Sequence, residues 1–113
     1  MEQDRVIECF AALAQSSRMS VFRLLVRAGP KGMRVSDIAQ KLDMVPSTLS
    51  GHLSILKRSG LLQSTRKQRE IYYAADLATV NMLVRFLLED CCDGRIENCA
   101  EALSLLAPGV ESA

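Results

Sequence analysis

The sequence has no tryptophan, and only 4% of its residues are aromatic. Its core must come from Leu, Val, Ile, Ala and Met, and at this size such a core is modest, so oligomerisation is a natural source of further stability. No stretch reaches the roughly 18 uninterrupted apolar residues that a membrane span requires. The N-terminus, Met1 to Arg5, is not a basic region leading into an apolar run, so no secretory signal is read and a cytoplasmic protein is expected. There is one histidine, no nucleophile with an evident partner and no phosphate-binding glycine loop, which argues against an enzyme. Internal repeats and low-complexity tracts are absent as well.

What is present fits one globular domain spanning residues 1–113: 49% hydrophobic and 24% charged residues over 113 positions. The net charge of +1 hides a strong segregation. From Arg18 to Arg69 the chain carries eleven Lys/Arg and two Asp/Glu, a local balance of +9, and the flanks carry −8. A basic middle between acidic ends is the electrostatic footprint of a nucleic-acid reader.

Periodicity then orders the elements. Val6, Ile7, Phe10, Leu13 and Ala14 lie at helical spacing over residues 3–14. Ser16 or Ser17 is expected to cap a second helix with Met19, Phe22, Leu24, Leu25 and Val26 as its apolar contacts. Gly29 to Gly32 breaks the chain. A short helix over 36–42, a three-residue connection at Asp43–Val45 and a helix from Pro46 to Ser59, stopped by Gly60, form a helix-turn-helix. Strands over 61–66 and 69–74, with Lys67-Gln68 at the tip, make a basic wing. A last helix over 77–90, apolar almost all round, is expected to be shared with the first helix in a dimer interface. The fold class is thus mainly α with a small β-hairpin, a winged helix-turn-helix.

Within the helix from Pro46, Leu49, Leu53 and Leu56 recur at i, i+4 and i+7 as an inward stripe. Ser47, Thr48, Ser50, Gly51 and Ser54 lie off it, where small side chains can enter the major groove of double-stranded DNA. Lys57 and Arg58 suit backbone phosphates, and Arg66, Lys67 and Arg69 of the wing suit phosphates or the adjacent minor groove. His52 is expected to be a hydrogen-bonded structural residue.

These stretches resemble the ArsR/SmtB metalloregulators. The resemblance rests on Leu13 to Leu25, Val35 to Leu42, Ser47 to Leu56, Gly60 to Leu62 and the pair Tyr72-Tyr73, and it spans about residues 5–90. It implies a homodimer that represses an operon until an inducer binds. Two positions depart from the family: Met33-Arg34-Val35 stands where many members carry a Cys-Val-Cys triplet, and Gly51 replaces a commonly basic residue.

Four cysteines in a reducing compartment are ligands, sensors or core residues rather than disulfides. Cys9, among apolar neighbours, is expected in the core. Cys91, Cys92 and Cys99 flank Asp93-Gly94, a turn and helix-stop signal. On an unbroken helix Cys92 and Cys99 would stand about 10 Å apart along the axis; a reversal at the turn would let all three thiolates converge. Three sulfurs without a nearby histidine suit trivalent arsenic or antimony, and some members of the resembled family place an arsenic-sensing Cys-Cys pair plus a later Cys at this point. The expectation is a repressor of an arsenic-resistance operon whose inducer, As(III) or Sb(III), binds within segment 89–106. A thiol redox or sulfide switch, or cadmium, lead or zinc sensing, are the alternatives on the same fold. A metallochaperone or thiol buffer would need no basic middle.

Overall fold

The computed structural model of the chain describes residues 1–89. They form five helices and three short strands: α1 (Gln3–Leu13), α2 (Ser16–Ala28), β1 (Met33–Arg34), α3 (Val35–Leu42), α4 (Pro46–Ser59), β2 (Leu62–Lys67), β3 (Glu70–Ala75) and α5 (Leu77–Leu88). The expected inducer segment falls outside the described residues except for Glu89, which caps α5.

Each boundary of the helix-turn-helix has a local cause. Pro46 starts α4, where a missing N–H costs nothing. Gly60 ends it at φ 94°, and the N–H of Leu61 reaches back to the carbonyl of Leu56 at 3.0 Å. α3 stops the same way without a glycine: Asp43 takes the left-handed conformation at φ 53°, and the N–H of Met44 bonds the carbonyl of Ala39 at 2.9 Å. Asp tolerates that conformation better than most residues. Asp76 caps the start of α5, its carboxylate accepting from the backbone N–H of Thr79.

One core joins these elements. Leu49, Leu53 and Leu56 are buried as the spacing predicts, against Val21, Leu24 and Leu25 of α2, Ile38 of α3 and Leu61 at the root of the wing. Full burial of each such leucine stabilises the fold by about 1.5–3 kcal/mol. Leu83 of α5 and Val6, Cys9 and Ala12 of α1 close the cluster.

Several expectations are corrected. The cap of α2 is Gln15, whose side-chain oxygen accepts from the N–H of Arg18 at 2.8 Å; Ser16 and Ser17 already lie inside the helix. On α2 the inward face carries Val21, while Met19 and Val26 are exposed. On α1 the inward face is Val6, Cys9 and Ala12; Ile7, Phe10 and Ala14 face outward. α5 ends at Leu88 rather than at 90. The sheet has three antiparallel strands in the order β1-β3-β2, one more than the expected hairpin. The hairpin register is shifted by one residue from expectation: Lys67 pairs with Glu70, and Gln68-Arg69 form the turn. A two-residue hairpin turn calls for a positive φ, and Gln68 supplies it at 59°.

Candidate nucleic-acid interface

α4 is fixed along its apolar stripe, so its opposite face is free. Ser47, Thr48, Ser50, Gly51, Ser54, Lys57 and Arg58 are all exposed, and so are Arg66, Lys67 and Arg69 on the wing. The ten residues singled out from the sequence therefore lie on the surface of the two elements that a winged helix-turn-helix offers to a duplex. His52, between these faces, is half-buried. A Cβ added at Gly51 would meet no atom within 4 Å, so packing within the protomer does not require a glycine there.

The far end of α4 is held from two sides. The carbonyl of Ser59 accepts from Arg5 Nε and from the thiol of Cys9, each at 3.2 Å. The carbonyl of Gly60 accepts from Thr79 Oγ1 at 2.8 Å. These carbonyls belong to the helix end, which lacks intrahelical partners. Side chains of α1 and α5 thus supply the donors. Cys9 is fully buried, in agreement with a core role.

The wing carries its own network, invisible in the local sequence. Lys67 Nζ lies 4.9 Å from the centroid of the Tyr72 ring, within reach of a cation–π interaction. Arg34 donates through Nε to Asp37 Oδ2 at 3.1 Å and through Nη2 to Oδ1 at 3.3 Å. Its Nη1 donates to both oxygens of Glu70, at 3.1 and 2.9 Å. The bonds to Asp37 first, and then those to Glu70, hold the guanidinium pKa above its ordinary value. Sequence reasoning missed Arg34 because Glu70 lies 36 positions away; an isolated basic residue in an already basic stretch gives no sign of its partner.

Cys91, Cys92 and Cys99 lie outside the described residues. Among the described residues no group of three or more His, Cys, Asp or Glu is placed to hold a metal ion. None of the described helices is long and apolar enough to cross a membrane.

Known proteins resemble this arrangement in sequence and in fold. Residues 13–65 match the family described as a helix-turn-helix domain. The HTH-type transcriptional regulator YbzH of Bacillus subtilis, itself uncharacterized, is 33% identical, and the match covers 72% of this chain and 93% of that protein. An ArsR-like transcriptional regulator from Rhodococcus sp. RHA1 superposes with a TM-score of 0.71 at 26% identity, covering 92% of this chain and 93% of the other. A homodimeric winged helix-turn-helix DNA-binding domain from Mycobacterium bovis, a possible ArsR-family regulator, gives 0.61 at 30% identity over 77% and 81% of the two chains. HlyU from Vibrio cholerae shares the fold at 22% identity, with a TM-score of 0.63. This chain belongs to the helix-turn-helix transcriptional regulators, in their ArsR-type winged form.

Proposed function

We propose that the protein is a homodimeric repressor that binds operator DNA through α4 and the wing and is released when trivalent arsenic, or antimony, engages Cys91, Cys92 and Cys99. The observation that carries the DNA reading is the exposed face of small polar residues on α4 beside the basic wing, in a chain whose net positive balance lies between Arg18 and Arg69. Two such helices in a dimer would enter successive major grooves about 34 Å apart on a pseudo-palindromic site.

A second copy of the chain accounts for the apolar surface left on α1 and α5. Ile7 is 55% exposed, Phe10 39%, Met82 52% and Leu87 61%. An apolar surface of this kind is ordinarily covered by a partner, and the homodimeric Mycobacterium bovis domain supports a second copy as that partner.

The inducer reading rests on the chemistry of the donor set. Three thiolates and no adjacent histidine fit a soft trivalent ion that takes three sulfurs better than zinc, which favours four ligands with histidine among them. Burial of Cys9 under the end of α4 supports confining the sensing thiols to the other three. The segment follows α5 directly, so occupancy there can bias the dimer toward a half-site spacing that fits DNA poorly. A coupling of about 1–3 kcal/mol lowers DNA affinity roughly 5- to 150-fold. The regulated genes are then those of arsenic resistance. Changing Cys91, Cys92 or Cys99 to Ser leaves a repressor that binds DNA and ignores arsenite; normal release by all three variants would place the inducer site elsewhere.

A further inference from the structure

The wing tip overhangs its own sheet. β1 ends where Arg34 pairs with Tyr72, so residues 66–71 project beyond β1 with only each other as strand partners. A two-stranded hairpin by itself is marginal in water. Beside the turn stands Glu70, the only carboxylate between residues 62 and 75, amid Arg66, Lys67 and Arg69. The register sets Glu70 opposite Lys67, yet both of its oxygens turn to Arg34.

Arg34 is held on its other edge by Asp37 in the first turn of α3. A guanidinium bonded along two edges is fixed in plane, because its donors form a rigid fork. The contact crosses a groove of about 280 Å³ between the start of α3 and the wing, lined by Arg34, Val35, Ser36, Arg69, Glu70 and Ile71. One side chain therefore braces the overhang against the helix that leads into α4.

We propose that Arg34 is a positioning residue for DNA binding: through Glu70 it holds the wing tip so that Arg66, Lys67 and Arg69 meet phosphates in fixed register with α4. The proposal rests on the DNA-binding reading. It makes a prediction opposite in sign to that of charge alone. Glu70 is an anion beside a polyanionic ligand, so simple electrostatics expects its neutralisation to tighten binding. The brace expects Glu70→Gln to weaken it.

The experiment is fluorescence anisotropy of the reduced full chain on a labelled duplex carrying its own upstream DNA, over a series of salt concentrations. Glu70→Gln and Arg34→Gln should each bind about three- to tenfold more weakly, with a shallower salt dependence because wing contacts are lost. In a chain with Arg66, Lys67 and Arg69 all changed to Gln, adding Arg34→Gln should change affinity by less than about twofold. Hydrogen exchange at residues 66–70 should quicken in Glu70→Gln while that of α4 holds, which a general loss of stability would not produce. Should Arg34→Gln fail to fold, Glu70→Gln alone decides. Equal or tighter binding by Glu70→Gln overturns the brace, as does an undiminished effect of Arg34→Gln in the wing-neutral chain. Either result leaves the DNA reading standing if Lys57→Gln weakens binding by the wild-type chain. Absence of binding by the wild-type chain removes both.

Discussion

The buried thiol of Cys9 and the carbonyl of Ser59, fifty positions apart, meet at 3.2 Å, tying α1 to the last turn of α4. The same carbonyl receives Arg5, and the next one receives Thr79 of α5. The two helices that hold the end of α4 also carry the large exposed apolar side chains Ile7, Phe10, Met82 and Leu87. With that apolar surface as the proposed dimer face, assembly and the placement of α4 depend on the same two helices, α1 and α5.

Cys9→Ala removes one buried sulfur and one donor to a helix-end carbonyl. It should lower stability by about 1–2 kcal/mol in urea unfolding. DNA release by arsenite should be unaffected. Loss of the arsenite response in that variant would make Cys9 a ligand.

Phe10→Asp and Met82→Asp each place a charge on the apolar face of α1 or α5 without touching the protomer core. Analytical ultracentrifugation should show monomers at concentrations where the wild-type chain is dimeric. Operator affinity should fall by at least tenfold, because a monomer engages only one half-site. An unchanged sedimentation profile for both would exclude this face as the interface.

Gly51→Ala separates stability from recognition. A mid-helix glycine costs about 0.5–1 kcal/mol relative to alanine, and nothing in the protomer crowds the new methyl group. The variant should therefore melt higher by that increment. If α4 lies deep in the groove, with its backbone close to the DNA at this position, the same methyl should weaken operator binding several-fold. A variant that is both more stable and equally tight would mean that Gly51 stays clear of the DNA.

Local signals carried the sequence reading where a side chain's neighbours in the chain also decide its place in the fold. Leu49, Leu53 and Leu56 declare their burial by spacing, and Pro46 and Gly60 bracket α4 through backbone preferences alone. Ile7 and Phe10 share a helical stripe with Val6, but periodicity alone does not separate a face turned to the protomer core from one left outside it. β1 is two residues long, too short for any alternation, and exists because Met33 and Arg34 pair with Tyr73 and Tyr72 far along the chain. The wing register slipped by one because Gln68, not a usual turn residue, adopts the positive φ. Arg34 and Glu70 could be joined only by folding. Cys91, Cys92 and Cys99 remain a reading of the sequence, since they lie outside the described residues.

The most direct test is fluorescence anisotropy of fully reduced protein on its own upstream DNA, with arsenite, zinc and a mild oxidant titrated separately. Arsenite alone should release the DNA, at stoichiometry near one per protomer, and the Cys99→Ser variant should stay bound. Release by oxidant alone, with arsenite inert, would contradict arsenic sensing and make the cysteines a redox switch on the same fold.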